Sequence, residues 1–457
     1  MPIFNKKLLI AGRELTRMSI PVVGSRLTNT LNVLVSMWLM AKLGRQVLAA
    51  SALISSISLT VLMIVWSVLF SMSILIGNSY GANKFSDVGS IVRQGLIIGT
   101  VIGVPTAFLI WNFGPILLLM GQEPHLVKIA VRYFHAYSFS IVPGMWYLCF
   151  SQFAVGISKP KLIFSWSIIY FIVTIGVGYG LLFGKWGLPA LGVAGMGYAW
   201  GIGNVTMCII IVINLVCCNL HKQYDLFNHK KWWEFSFVRQ ILDFGWQITA
   251  QIAAEFIAFA VATVFMGWLG EHALAARQIV NQVTSVVLMV PYGIAQVSSV
   301  LVGQAFGRRD FAAIRYFGYA ALGLGVISAI LIGMFYMGWP RVIIGLYVDP
   351  HLTVNTDIVG ITTLLLALTA ISQFFDIIRT GATGILRGIY DVRMPMLVSV
   401  VSSCFAVIPL SYLLGFPMHL GVVGIALSFI LSFAVGAIIL ICRFYKMTKE
   451  YALRTEL

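Results

Sequence analysis

The chain has 457 residues, of which 60% are hydrophobic and only 10% are charged. Soluble globular proteins carry about 25% charged residues, so this composition excludes a soluble fold. The formal net charge of +15 at pH 7 would suit a nucleic-acid-binding protein, and the distribution of Lys and Arg along the chain decides between that class and a membrane protein.

Apolar stretches recur from one end of the chain to the other, and each is long enough to cross a hydrocarbon core of about 30 Å as a helix. They predict about twelve transmembrane spans near residues 17–41, 48–76, 94–119, 128–152, 163–183, 190–216, 240–268, 278–304, 315–346, 358–385, 395–415 and 420–442. The first stretch is too long for a cleavable signal peptide and no small-residue cleavage pattern follows a short core, so we expect it to remain in the protein.

The basic residues lie mainly on one side of these spans. With the N-terminus in the cytoplasm, 21 of the 30 Lys and Arg residues, including Arg387, fall in cytoplasmic segments. The residues assigned to outer segments are Lys42, Arg45, Lys128, Arg132, Lys185, Arg277 and Arg341. The positive-inside bias therefore predicts that both termini are cytoplasmic, and it attributes the basic excess to membrane topology rather than to nucleic acid binding.

An internal repeat divides the chain into two halves. Residues 40–81 align without a gap to residues 266–307 at an offset of 226, which places LGRQVLAA over LGEHALAA and GNSYG over GQAFG. A weaker match at an offset of 229 places GVAGMGYAW (192–200) over GVVGIALSF (421–429). The repeat predicts an N-terminal lobe over 1–216, a cytoplasmic linker over 217–238, a C-terminal lobe over 239–445 and a cytoplasmic tail over 446–457.

Six spans in each half fix the relative orientation of the halves. Because six is even, the second half enters the membrane from the same side as the first, so the repeats are parallel. The predicted fold is an all-α integral membrane bundle of two six-helix repeats with a central cleft. Such a cleft is an arrangement for transport rather than for chemistry.

Two acidic residues lie deep in apolar spans. Of the 15 Asp and Glu residues, only Glu255 and Asp376 are neither in a predicted loop nor near a span end. A carboxylate at the bilayer centre costs about 2.5–3.5 kcal/mol, so its retention indicates a function. Asp376 could instead form an ion pair with Arg379 one turn away, whereas Glu255 has no basic residue within one turn. We expect the two acids to form a cation-coupling site that takes a proton or holds Na⁺ between them.

Neutral polar residues surround these acids in the sequence. Gln247 and Gln251 precede Glu255 at spacings of four, so they share one helix face. The predicted supporting polar cavity consists of Gln251, Gln278, Asn281, Gln282, Gln373 and Tyr292. Amide oxygens can complete the shell of a hard cation, although interhelical hydrogen bonds are the alternative role for each glutamine.

The first half carries its own polar set in the first span: Arg26, Asn29, Asn32 and Ser36. Asn29 is the counterpart of Glu255 at the offset of 226, so an amide stands in one half where an acid stands in the other. Arg26 either contacts an anionic group in a cavity or extends to the inner membrane interface.

Three features together resemble the multidrug and toxic compound extrusion (MATE) family. They are the LG…LAA segment after the first span of each half, the small-residue G…G after the second, and QFFD…GILRG over 373–388. The resemblance implies an antiporter that exports bulky, often cationic organic molecules in exchange for Na⁺ or H⁺. Many bacterial members carry an acid in a first-span stretch resembling LVDTxMxGxLG, and Ser36 takes its place here. The resemblance therefore implies coupling through the C-terminal half.

Two alternatives differ from this interpretation in ways that the sequence can address. A lipid-precursor flippase of the same broad superfamily would be expected to have more spans and a basic central cavity. A membrane enzyme acting on lipids would need clustered catalytic groups near an interface, and the sequence has no such motif, no nucleotide-binding loop and no metal-ligand spacing. We therefore expect a monomeric transporter, with no tightly bound cofactor, in a bacterial inner membrane.

The charge bias gives a direct test of topology. If the positive-inside bias sets the orientation, a cysteine introduced as Lys230→Cys in a background without native cysteines is not labelled by an impermeant maleimide added to intact cells. Lys185→Cys, in a predicted outer loop, serves as the matched control and should be labelled. Labelling at position 230 from outside would reverse the predicted orientation.

Overall fold

The structure is a computed structural model that describes residues 2–226, 234–347 and 356–453. Most of the predicted loop around Lys230 and the last four residues of the predicted tail lie outside the described residues. The helices are α1 Pro2–Ala41, α2 Arg45–Ser67, α3 Ser71–Gly81, α4 Phe85–Trp111, α5 Gly114–Leu119, α6 Pro124–Gly156, α7 Pro160–Phe183, α8 Val193–Cys217, α9 Leu220–Gln223, α10 Phe235–Trp268, α11 Glu271–Val287, α12 Met289–Gly307, α13 Phe311–Gly338, α14 Pro340–Gly345, α15 Thr356–Gly388, α16 Arg393–Val400, α17 Ile408–Gly415 and α18 Gly421–Leu453. A 3₁₀ turn over Val68–Phe70 joins α2 to α3, and a π-helix over Val401–Val407 joins α16 to α17.

Eleven helical segments among the described residues are long and apolar enough to cross a membrane. The first predicted span is not one of the eleven and lies within the 40-residue helix α1. The all-helical multi-pass fold is thus confirmed. Two boundaries differ clearly, because α11 begins at Glu271 and not near residue 278, and α13 ends at Gly338 and not near residue 346. Polar residues at the start of α11 lower the local hydropathy, so the apolar stretch begins later than the helix.

The repeat is visible in the backbone as well as in the sequence. Residues with positive φ recur at the offsets that relate the halves. They are Gly44 (125°) with Gly270 (120°), Asn83 (58°) with Arg309 (59°), and Gly192 (58°) with Gly421 (53°). L-residues other than glycine rarely adopt positive φ, so paired occurrences indicate that the same turns connect the same helices in both halves. The predicted two-repeat architecture is confirmed.

The chain forms two compact units whose boundaries fall inside helices. One unit contains Met1–Val23 and Ala250–Leu457, and the other contains Gly24–Thr249. Helix α1 and helix α10 are therefore each divided between the units, at positions that are again 226 residues apart. We call the two units the C-terminal unit and the N-terminal unit. The predicted lobe boundaries lie elsewhere, after residue 216 at the end of α8 and after residue 238 in the first turn of α10.

Close contact between α12 and α15 organises the C-terminal unit. A Cβ atom added to Gly384 would collide with the carbonyl oxygen of Ala295, and one added to Gly388 would lie 2.7 Å from that of Ser299. Both glycines lie on one face of α15, four residues apart, which is how small residues let lipid-embedded helices approach. The glycines of the GILRG segment thus bring α15 against α12, and α15 carries Asp376 and Arg379.

Gly384→Ala should separate α15 from α12. We expect it to destabilise the protein by about 1–3 kcal/mol, because a methyl group cannot fit against a backbone carbonyl without moving a helix. The measurement is the thermal unfolding midpoint of the purified protein in detergent. Gly323→Ala, in helix α13 with open space at the added Cβ, is the control and should leave the midpoint unchanged. Equal midpoints for the two variants would contradict close α12–α15 packing.

Candidate functional site

Helices α10 and α15 bring the two predicted acids to one arginine. Glu255 lies on α10, and Asp376 and Arg379 lie one turn apart on α15. Nε and Nη2 of Arg379 donate to Oδ1 of Asp376 at 3.0 Å and 2.7 Å. Nη1 of Arg379 donates to Oε1 of Glu255 at 2.9 Å. We refer to Glu255, Arg379 and Asp376 as the triad.

Two further contacts hold the Arg379 side chain. Nη1 also donates to Oγ of Ser399 at 2.6 Å, at the end of α16 next to the π-helix. The guanidinium lies 4.9 Å from the centroid of the Phe433 ring, a distance at which a cation is attracted to the π face. Arg379 is therefore oriented by α10, α15, α16 and α18 together.

The triad is well shielded within its unit. The side chains of Arg379 and Asp376 are 3% and 7% exposed, and that of Glu255 is 15% exposed. Desolvating a charge costs several kcal/mol, and attraction offsets this cost only where the geometry is good and hydrogen bonds are satisfied. One guanidinium between two carboxylates meets that condition but leaves the triad with a net charge of −1 when both acids are ionised.

The Gln251 amide links the triad to a second arginine. Nη2 of Arg387 donates to Oε1 of Gln251 at 2.7 Å, and Nε2 of Gln251 donates to Oε1 of Glu255 at 3.2 Å. These two contacts fix which amide atom faces the carboxylate. Gln251 therefore bridges Arg387 and Glu255 through its amide group.

A small cavity lies beside Asp376. Its volume is about 30 Å³, and among its lining residues are Asn281, Gln373, Asp376 and Arg277. A cavity needs roughly 10–15 Å³ to hold one water, so this one admits about two waters or a single small ion. A drug-sized molecule does not fit.

The predicted polar residues of the C-terminal half occupy different positions. Asn281 and Gln373 line the cavity, whereas Gln278 and Gln282 are exposed on α11, and Tyr292 is half-buried on α12. No group of three His, Cys, Asp or Glu residues that could hold a metal ion occurs in the part of the chain that the structure describes. A sodium ion held between Glu255 and Asp376 would have to displace Arg379.

Two expectations about charged residues were wrong. Glu255 forms an ion pair, since Arg379 reaches it from a position 124 residues away. Arg277 does not lie in a segment between helices, because it is buried on α11 and only 5% exposed. Arg387, which was expected just beyond a span, lies in the last turn of α15 and contacts Gln251.

One signal in the sequence could have identified Arg387. Arg379 follows Asp376 by three residues and Arg387 follows Arg379 by eight, so all three fall near one face of a continuous helix. The participation of Ser399 and Arg277 has no comparable local signal.

The N-terminal unit holds a smaller and uncharged polar cluster on α1. Asn32 is fully buried and Ser36 is 3% exposed. The amide of Asn32 and the hydroxyl of Ser36 make no hydrogen bond to any residue that the structure describes. Asn29 is exposed and Arg26 is half-buried. Of the four predicted N-terminal residues, two therefore form a buried neutral pair one turn apart.

Comparisons with known proteins give one consistent result. The family model described as MatE matches residues 21–180 and again residues 248–413, one match in each half. A probable multidrug resistance protein NorM of Synechocystis sp. is 27% identical over 435 residues, which cover 95% of this chain and 94% of that protein. Another of the same description from Pseudomonas aeruginosa is 28% identical over 91% of this chain and 86% of its own length.

Solved structures share the fold at lower sequence identity. The crystal structure of the eukaryotic MATE transporter AtDTX14 superimposes with a TM-score of 0.84 and 17% identity, covering 98% of this chain and 99% of that chain. The bent form of the Vibrio cholerae MATE transporter VcmN gives a TM-score of 0.87 and 14% identity, with the same coverage.

Removing Arg379 should leave two buried carboxylates without their shared partner. We expect Arg379→Gln to destabilise the protein by about 3–5 kcal/mol in thermal unfolding in detergent. Adding Glu255→Gln and Asp376→Asn to this variant should restore part of the loss, because the uncompensated charges are then gone. The control is Arg443→Gln, which breaks the more exposed ion pair with Asp391 and should cost about 0–1 kcal/mol. Equal losses for the two arginine variants would contradict the role assigned to the triad.

Proposed function

Because the chain belongs to the MatE family, we propose that it is a secondary antiporter that exports small organic molecules in exchange for Na⁺ or H⁺. The proteins it resembles are described as multidrug resistance proteins and MATE transporters, and this supports export of drug-like molecules as the activity. Membership of a transporter family confirms the interpretation as a transporter rather than an enzyme.

We further propose that Glu255 and Asp376 carry the coupling. The observation that supports this most directly is the sharing of Arg379 between the two acids. With a net charge of −1, the triad can accept one positive charge and become neutral, which suits a site deep in a membrane. A cation that binds one carboxylate frees Arg379 to bind the other more strongly, so the triad has two alternative pairings.

Such alternative pairings give coupling a physical basis. Arg379 touches residues of α10, α15 and α16, so a shift of its side chain changes contacts on three helices at once. An ion can shift a conformational equilibrium only by as much as its affinity differs between the two states. In this proposal the difference comes from the competition between the entering cation and Arg379 for the same carboxylate oxygens.

The remaining expectations fit this function. We propose that both termini lie in the cytoplasm, because the charge bias favours this topology. We also propose that the protein is a monomer in a bacterial inner membrane. A lipid-precursor flippase is the less favoured alternative, since the matches to residues 21–180 and 248–413 account for both halves without further spans.

Neutralising either acid should abolish gradient-driven export. We expect Glu255→Gln and Asp376→Asn each to reduce ethidium export from proteoliposomes to background, because a neutral side chain neither binds the cation nor releases it. The double variant should be little worse than either single one, since the two acids act as a unit. Asp357→Asn, an exposed acid at the start of the same helix, is the control.

The assay also separates the two coupling ions. Export driven by a pH gradient in sodium-free medium indicates proton coupling, and export that needs a sodium gradient at equal pH indicates sodium coupling. Full export by both single variants under both gradients would refute coupling through the triad.

A further inference from the structure

Arg277 is a buried cation whose guanidinium nitrogens are only partly used. It lies on α11 with 5% of its surface exposed, and it lines the cavity beside Asp376. Its Nε and Nη2 atoms are buried and have no hydrogen-bond partner among the residues that the structure describes. Buried N–H donors of a charged group are costly to leave unpaired, so an acceptor that enters the cavity and reaches them would be favoured.

Aromatic rings hold this guanidinium without using its donors. The rings of Phe259 and Phe429 stack on each other at a centroid distance of 5.2 Å. The Cζ atom of Arg277 lies 5.8 Å from the first ring and 5.3 Å from the second. Ring faces attract a cation but accept little from its N–H groups, so Arg277 is fixed in position while its donors stay available.

We propose that Arg277 and this cavity form a binding site for one small monovalent anion. Two sources supply that chemistry: an inorganic ion such as chloride, or the carboxylate group of an exported molecule. The cavity volume of about 30 Å³ sets the size limit, and the Asn281 side chain on the cavity wall offers an amide beside the guanidinium. A planar guanidinium binds such an anion through two parallel N–H groups.

The charges around the cavity set when the anion binds. Without a coupling cation, the net charge of −1 on the triad offsets the charge of Arg277 across the cavity, because Asp376 belongs to both. A cation bound to the triad removes that offset, and Arg277 then attracts an anion. The site itself follows from the geometry of Arg277, whereas this link to cation loading rests on the proposed function.

The test is direct binding of radioactive ³⁶Cl⁻ to the purified full-length protein in detergent. The reference salt is the sodium salt of HEPES at the same sodium concentration, because its anion is bulky and carries no carboxylate. We expect saturable ³⁶Cl⁻ binding that bromide displaces, and a thermal unfolding midpoint that is higher in sodium chloride than in the reference salt. Sodium acetate serves as the carboxylate probe. Displacement of ³⁶Cl⁻ by acetate would show that the site accepts a carboxylate, and stabilisation by acetate alone would assign it to the exported molecule.

Two variants address the site from different sides. Arg277→Gln removes the charge and should weaken anion binding by about tenfold or more. Ala426→Val keeps the charge but fills part of the cavity, since Ala426 is on its wall, and should abolish binding. This variant tests the site even if Arg277→Gln fails to fold. Arg341→Gln, an exposed arginine, is the control and should bind as the wild type does.

The outcomes separate this inference from the proposed function. Absence of any saturable chloride or acetate effect in the wild type, or wild-type binding by both Arg277→Gln and Ala426→Val, would overturn the anion site. Binding is measured without a gradient, so a failure of ion-driven export with intact anion binding would refute only the proposed function. Asp376→Asn removes a negative charge from the cavity wall and should tighten chloride binding by about tenfold or more. Unchanged affinity would remove the link between the two ions.

Discussion

The sharing of one guanidinium by two carboxylates is the constraint on which the C-terminal unit depends. A carboxylate within a membrane-spanning bundle needs a partner, and Arg379 is the partner of both Glu255 and Asp376. Two side-chain hydrogen bonds join α10 to α15, Arg379 to Glu255 and Arg387 to Gln251, and both require the two helices to keep one register. The glycines that let α15 approach α12 are therefore part of the electrostatic arrangement as well as of the packing.

The sequence was sufficient for features that depend on local composition. Hydropathy, helix length and the repeated glycine segments determine the spans and the duplication, because each reports on a short stretch of chain. Glu255 and Asp376 could be identified as acids within membrane spans for the same reason, since an acid in an apolar stretch is recognisable without knowledge of its neighbours in the fold. The repeat at offsets of 226 and 229 reappears in the paired backbone turns, two of which have glycine in both halves.

Partnerships between distant residues could not be predicted. Glu255 meets Arg379 only because the fold places α10 beside α15, and no residue near Glu255 in the sequence indicates this contact. The predicted position of Arg277 was wrong for a related reason. Hydropathy places a charged residue at a span end, but the rings of Phe259 and Phe429 stabilise this one inside the unit. Aromatic stabilisation of a cation is a tertiary effect that a sliding window along the chain does not detect.

The two halves share the same arrangement of helices but not the same charged residues. Helices α6 and α15 each have 33 residues and are related by an offset of 232, whereas α1 and α2 are related to α10 and α11 by 226. At these offsets the charged residues of the site pair with uncharged ones: Glu255 with Asn29, Arg277 with Ser51, Asp376 with Gly144, Arg379 with Tyr147, and Arg387 with Val155. Removing one partner of a buried ion pair is costly, because it leaves the other charge uncompensated. Glu255, Asp376 and Arg379 are therefore interdependent: a change to one of them alters what the other two can tolerate, whereas their uncharged counterparts in the N-terminal half carry no such constraint.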